Sequence, residues 1–128
     1  MPFSDFHEMP LWKDSLTLCR TIYRLTAKPP IKRDFHFIDQ WRRASLSIMN
    51  NIAEGFGRGG NKEFVNFLGI ARGSCSEVRS MAFLAYELSY LSKDDFQDLM
   101  EQSSRIQRML GGFMKYLKRN DFKGFKFK

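Results

Sequence analysis

The chain has 128 residues, of which 43% are hydrophobic and 27% are charged, and this composition predicts one soluble domain spanning residues 1–128. No apolar run approaches the roughly 18 residues of a membrane span, and no secretion signal is visible, so we expect neither. Cys19 and Cys75 fall within helical patterns, which favours two buried, reduced thiols in the cytoplasm over a disulfide.

The formal net charge of +7 is unevenly distributed along the chain. Residues 115–128 hold six lysines and arginines against a single aspartate. Within them, the segment 119–128 is a basic tail that interleaves phenylalanines with lysines, a composition that suits single-stranded nucleic acid. A solvated end, docking onto a protein partner, and folding back onto the chain's own domain or a neighbour remain alternative interpretations.

The first predicted helix runs from about Pro10 to Ala27. Proline suits a first helical turn, where its missing N–H is no loss, and Pro29 and Pro30 end the helix. A periodic apolar stripe predicts its buried face. The stripe comprises Leu11, Leu18, Ile22 and Leu25, with Cys19 beside it.

The second predicted helix runs from about Asp34, as N-cap, to Glu54. Its apolar residues repeat at spacings of three and four, as a buried helical face requires. They are Phe37, Trp41, Ala44, Ile48 and Ile52. Gly55 is predicted to end the helix with a positive φ, and Gly57, Gly59 and Gly60 to reverse the chain.

Glu54 stands where the helix dipole disfavours negative charge, so we expect a cationic partner. Arg58 is nearest in sequence, with Arg72 and the arginines of the second helix as alternatives. The favoured interpretation is a structural clasp at the junction of the second and third helices. As a functional alternative, the glycine turn with Arg58 and Lys62 contacts a phosphate at the start of the third helix.

The third predicted helix runs from Asn61, as N-cap, to about Leu91, and the fourth from Ser92 to about Arg119. Gly69 and Gly73 interrupt the third helix, and a close approach to another helix is one reason to tolerate them. Buried faces are predicted on both helices. On the third they are Phe64, Phe67, Leu68, Ala71, Cys75, Val78, Ala82 and Ala85, and on the fourth Phe96, Leu99, Ser103, Ile106, Leu110, Phe113 and Leu117.

Four helices with short links predict an all-α, antiparallel up-down-up-down four-helix bundle. Enzyme signatures are absent from the sequence. His7 and His36 belong to no Glu-x-x-His or His-Glu-x-x-His pattern, and there is no Cys-x-x-Cys. "GFGRGGNK" lacks the P-loop lysine-serine or lysine-threonine ending and follows a helix instead of a strand. We therefore predict no catalytic residues, no metal and no cofactor.

Two stretches, "QWRRASLSIMNNIAEGFGR" and "EFVNFLGIARGSCSEV", closely resemble the four-helix-bundle family encoded by intervening sequences in 23S ribosomal RNA genes. The resemblance covers about residues 9–92, and Trp12 and Tyr23 match the family's first helix. The matching positions include six that we assign structural roles. These are Asn51, Glu54, Gly55, Gly73, Ser74 and Glu77.

The family also includes the accessory variability determinants of bacterial diversity-generating retroelements. The resemblance implies a homopentamer without enzymatic activity, with RNA or DNA as ligands and, as in the retroelement members, a reverse transcriptase as a further partner. This sequence departs from the family before the second helix, where Lys32 and Arg33 replace an acidic stretch. The rival hypothesis is a protein-only structural scaffold or adaptor, with a ribosome-linked or unknown role.

We predict that nucleic acid is bound by exposed cations, without a strong sequence preference, although some of these cations must serve internal carboxylates instead. The candidate phosphate contacts are Lys32, Arg33, Arg42, Arg43, Arg58, Lys62, Arg72, Arg79, Lys115, Lys118, Arg119, Lys123, Lys126 and Lys128.

Overall fold

The computed structural model describes residues 3–120 and holds, within that range, four α-helices and no β-strand. The helices are α1 (Pro10–Thr26), α2 (Phe35–Gly57), α3 (Asn61–Glu87) and α4 (Lys93–Arg119). Single 3-10 turns at Phe6–Glu8 and Ile31–Arg33 precede α1 and α2. The predicted all-α four-helix class is confirmed. None of the described helices is both long and apolar enough to cross a membrane.

Local signals place the starts of α1, α2 and α4 where the sequence predicts them. Pro10 occupies the first turn of α1. The Asp34 carboxylate accepts the Phe37 N–H at 3.1 Å, and the Ser92 hydroxyl accepts the Asp95 N–H at the same distance. Both caps satisfy backbone donors that the first helical turn leaves without a partner.

Neighbouring helices run antiparallel around one apolar core. The Trp41 indole N–H donates to the Val78 carbonyl at 3.1 Å, whereas Gly55, later in α2, meets Phe64, earlier in α3. The same reversal relates α1 to α2, α3 to α4, and α4 to α1. The largest fully buried side chains of the helices are Trp41, Phe64, Leu18, Ile22, Ile48, Ile52, Leu68, Leu99, Ile106, Leu110 and Leu117.

The predicted end of the second helix at Glu54 is wrong, because α2 continues to Gly57. Gly55 is helical and buried, and the glycine with a positive φ is Gly59, at +86°. A Cβ on Gly55 would lie 2.7 Å from Cδ1 of Phe64 and 2.9 Å from Cβ of Phe67. Glycine is therefore needed at position 55 so that α3 can approach α2.

Two predictions about the third helix are also wrong. Gly60, not Asn61, is the N-cap of α3, and the helix ends at Glu87 instead of Leu91. Asn61 lies in the first turn, and its side-chain amide donates to the carbonyls of Leu117 and Asn120 at 3.1 and 2.9 Å. A residue expected to cap its own helix instead ties α3 to the end of α4.

The close helix approach expected at Gly69 and Gly73 is not found among the described residues. A Cβ on Gly69 would meet only the Met114 methyl group, at 3.7 Å, and a Cβ on Gly73 would meet nothing within 4 Å. Gly73 is exposed on the outer side of α3. Close packing within residues 3–120 therefore does not require glycine at position 73.

Candidate nucleic-acid interface

The charges of α4 are divided along its length. Residues 93–101 carry four acidic side chains and one lysine, whereas residues 102–120 carry five lysines and arginines and no acid. Acids near a helix N-terminus and cations near its C-terminus both interact favourably with the helix dipole. The division stabilises α4 and concentrates positive charge at one end of the bundle.

Six cations form what we call the basic surface. Four belong to the second half of α4 and two to the adjoining part of α3, and all six are exposed. None of them lies within 4.0 Å of a carboxylate in residues 3–120. The six are Lys62, Arg72, Arg108, Lys115, Lys118 and Arg119.

Contacts between α3 and α4 position this surface. The Arg72 guanidinium lies against Gly111, where an added Cβ would be 3.3 Å from its central carbon. Lys62 and Lys118 line one shallow depression of about 270 Å³. Asn61 holds the two helix ends together beneath them. The α3–α4 packing thus brings cations from separate parts of the chain to one side of the molecule.

Two predicted phosphate contacts, Arg42 and Arg79, are half-buried and hold helices together. Arg42 donates to the Thr26 hydroxyl at 2.8 Å, and its guanidinium lies 4.4 Å from the Tyr23 ring centroid. Arg79 donates to the Met100 carbonyl and to serine hydroxyls of α4. Both guanidinium groups already contact other helices of the bundle, so neither belongs to the basic surface.

The remaining predicted contacts outside the basic surface lie elsewhere. Arg43 forms an exposed ion pair with Asp39 at 3.1 Å. Lys32 and Arg33 are exposed beside Phe35 at the opposite end of the bundle, roughly 34 Å away along the 23 residues of α2. Lys123, Lys126 and Lys128 lie outside the described residues.

The expected clasp at Glu54 is present. Arg58 lies 3.0 Å from the Glu54 carboxylate and 3.9 Å from that of Glu63, with its guanidinium 5.0 Å from the Phe67 ring centroid. Arg58 thereby links the last turn of α2 to the first turn of α3. Arg58 is thus already paired with two carboxylates, which disfavours the glycine turn as a phosphate cradle.

Of the other positions with predicted structural roles, Asn51 and Ser74 lie near the α2–α3 interface and Glu77 lies on the outer side of α3. The Asn51 amide donates to the Ser47 carbonyl at 2.8 Å, and the Ser74 hydroxyl donates to the Ser47 hydroxyl at 2.7 Å, joining α2 to α3. Glu77, by contrast, is exposed and makes no hydrogen bond or ion pair within residues 3–120. It lies one helical turn from the exposed Gly73.

Within residues 3–120, no group of three or more histidine, cysteine or acidic side chains could hold a metal ion. Burial raises the pKa of Cys19, and it raises the pKa of Cys75 to about 11. Both thiols therefore stay protonated near neutral pH. Cys19 donates to the Ser45 carbonyl and Cys75 to the Ser103 carbonyl, so the thiols pack as core groups.

Sequence reasoning missed Arg108, which is the first cation of the basic surface along α4. The absence of any acid from residue 102 to 120 was the available signal. It also missed the aromatic cluster that the exposed Phe83 and Tyr86 form with the half-buried Phe96. Tyr86 stacks on Phe96 with ring centroids 4.6 Å apart, and Phe83 meets Phe96 edge-on at 5.1 Å.

Fold and surface together define a small all-α bundle. The basic surface lies toward one end of this bundle, and the aromatic cluster lies at the other end. The chain belongs to the family of 23S rRNA-intervening sequence proteins, whose model matches residues 7–112. This confirms the family resemblance. The match ends inside α4, before three of the six cations of the basic surface.

The fold is similar to that of a crystal structure from Bacteroides thetaiotaomicron VPI-5482, a protein of unknown function from the S23 ribosomal protein family. The TM-score is 0.75 at 22% sequence identity, and the similarity covers 82% of this chain and 98% of the other. At this identity the likeness concerns the fold alone. No curated protein matches the chain.

Proposed function

We propose that this protein is a non-catalytic, nucleic-acid-binding protein whose basic surface contacts phosphate groups. The observation that carries the proposal is the set of six exposed cations without a carboxylate partner in residues 3–120. Phosphate contacts of this kind supply affinity without sequence specificity. The family name supports RNA as the first ligand to test.

Within this proposal the protein works as a homopentamer in the cytoplasm. The outer side of α3 supports an assembly, because Ile70 and Leu84 are about half exposed there, with Gly73 between them. A role as accessory subunit to a retroelement reverse transcriptase fits the same surfaces. Lys123, Lys126 and Lys128 would extend the basic surface beyond the end of α4.

The test removes three cations from one side of α4 by the changes Arg108→Gln, Lys115→Gln and Arg119→Gln. Binding of a mixed-sequence single-stranded RNA is measured by fluorescence anisotropy over a range of salt concentrations. We expect binding to weaken and the slope of log K against log salt to become shallower by roughly 0.7 for each phosphate that is no longer neutralised.

The matched control removes three exposed cations from α1 and the segment after it, by Arg20→Gln, Arg24→Gln and Lys28→Gln. Its net charge falls equally, but its basic surface is intact, so the slope should stay close to that of the unchanged protein. Equal weakening of RNA binding in the two variants would show nonspecific attraction to net charge. No binding by the unchanged protein at low salt would overturn the proposal.

The second candidate function is a scaffold that binds only protein, and the aromatic cluster favours it. Phe83 is 55% exposed and Tyr86 is 40% exposed. Adjacent exposed aromatic rings of this kind are unusual on a protein surface that no partner covers. Substitution of Phe83 and Tyr86 by serine should then abolish partner binding and leave RNA affinity unchanged. Loss of RNA binding on this substitution would count against the scaffold.

A further inference from the structure

An apolar groove lies between the start of α1 and the side of α4 that faces it. Its volume is about 370 Å³. Gly112 forms part of its floor, and an added Cβ there would meet nothing within 4 Å, so the groove reaches the helix backbone. The lining includes Phe3, Met9, Leu11, Met109, Gly112 and Phe113, with no charged side chain.

The sequence that follows α4 has the chemistry to occupy this groove. Phe125 and Phe127 are separated by one residue, so an extended backbone places both rings on one side and Lys126 and Lys128 on the other. A cavity of about 150 Å³ is large enough for one benzene ring, so the groove has room for two phenyl groups. The lysines would remain outside, in water.

Chain geometry permits this contact within one molecule. Asn120 is held at the end of the bundle by the Asn61 amide. Gly112 lies eight helical residues before it, about 12 Å back along the axis. Phe125 and Phe127, five and seven residues beyond Asn120, reach roughly 17 and 24 Å along an extended chain.

The aromatic cluster at the other end of the bundle is out of reach for the same segment. Phe96 lies 24 residues before Asn120 in α4. That separation corresponds to roughly 36 Å of helix, more than the extended reach of Phe127. Of the groove and the aromatic cluster, only the groove lies within reach of the phenylalanines of its own chain.

We propose that the groove between α1 and α4 binds Phe125 and Phe127 of the same chain. Docking brings Lys126 and Lys128 alongside the exposed Arg108 and Arg119 and enlarges the basic surface. The contact itself is apolar and does not depend on nucleic acid. It can therefore be tested separately from the proposed function.

The first experiment places the photoreactive phenylalanine analogue p-benzoylphenylalanine at position 127 of the full chain, which keeps an aromatic ring there. Irradiation should produce a crosslink to Met109 or Met9, identified by mass spectrometry. The analogue at position 122 is the matched control, because about 7 Å of extended chain does not reach the groove. Equal crosslinking to the groove from both positions would overturn the proposal.

Mixing isotopically labelled and unlabelled chains distinguishes the source of the segment. Crosslinks within one isotopic species support docking in the same chain. Crosslinks that join labelled to unlabelled chains would instead assign the groove to a second copy and overturn the proposal as stated. RNA plays no part in either result.

The second experiment asks whether the phenylalanines cover the groove. The double variant Phe125→Ser, Phe127→Ser should at least double the fluorescence of the neutral apolar dye Nile red, because the groove becomes open to it. The variant Lys126→Ser, Lys128→Ser keeps both rings and should leave the fluorescence unchanged. The same fluorescence in both variants would contradict docking.

Discussion

Among the described glycines, Gly55 has the least room for an added Cβ. Alanine there would place its Cβ 2.7 Å from Cδ1 of Phe64, a fully buried side chain that cannot move aside. We expect Gly55→Ala to lower the free energy of unfolding by about 1–3 kcal/mol through overpacking. The measurement is chemical denaturation followed by circular dichroism.

Gly57→Ala is the control for this prediction, because nothing lies within 4 Å of its added Cβ and it has no positive φ. Alanine is the better helix former, so this variant should be unchanged or more stable by up to about 1 kcal/mol. Equal destabilisation of both variants would mean that the close approach at Gly55 carries no energetic weight.

Asp34 links the start of α2 to the segment after α3, and this makes stability depend on pH. The Tyr90 hydroxyl, at 2.8 Å, and then the Phe37 N–H lower the pKa of the Asp34 carboxyl below its ordinary value. A lowered folded-state pKa gives a stabilisation that is present above the unfolded pKa of about 3.9 and disappears as pH falls through the folded value.

The variant Asp34→Asn should therefore be less stable than the unchanged protein at pH 7, and the difference should shrink below about pH 4. Thermal unfolding at a series of pH values measures it. Tyr90→Phe removes only the larger of the two hydrogen-bond effects and should show a smaller pH-dependent difference. A stability gap that is constant across this pH range would contradict the assignment.

At the scale of helices, Asn61 is the clamp between the start of α3 and the end of α4. It satisfies the Leu117 and Asn120 carbonyls, which belong to the end of α4, where carbonyls lack intrahelical partners. We expect Asn61→Ala to lower the free energy of unfolding by about 1–3 kcal/mol. Hydrogen exchange should also become faster in the last turn of α4.

Asn66→Ala tests whether this effect belongs to the clamp. Asn66 is exposed and lies on the same helix, beside the same shallow depression. Its substitution should leave both stability and the exchange of the last α4 turn close to those of the unchanged protein. If Asn61→Ala behaves in the same way, the amide contacts do not hold the helix ends together.

At the scale of the whole molecule, the proposed pentamer needs an interface, and the outer side of α3 supplies the candidate. Ile70 and Leu84 are 53% and 48% exposed and lie 14 residues apart on this side. Ile70→Glu with Leu84→Glu would place charges in a buried interface and should dissociate the assembly. Light scattering after size-exclusion chromatography should show that the molar mass falls from five times 15.1 kDa to that of a single chain.

Phe35→Glu is the control for the assembly, because Phe35 is 78% exposed at the end of the bundle, away from this side of α3. It should leave the assembly mass unchanged. An unchanged protein with the mass of one chain would refute the pentamer. Retention of the full mass by the Ile70 and Leu84 variant would place the interface elsewhere.

The helices themselves could be predicted from the sequence because their signals are local. Apolar spacings mark the buried face of α2, from Phe37 to Ile52, and each spacing spans one helical turn. The caps at Asp34 and Ser92 likewise act over three residues. The clasp between Glu54 and Arg58 was predictable for the same reason, since it joins residues four apart.

The use of each polar side chain and glycine was decided only by the tertiary structure. Asn61 bonds to Leu117, 56 residues away, and Arg79 reaches Ser104 across the α3–α4 interface. Gly55 is required because of the approach of Phe64, not because of its own backbone angles. Periodicity shows which side of a helix is buried but not which neighbouring helix covers it. Only the packed helices therefore distinguish the cations that hold the bundle together from the cations that stay free for a ligand.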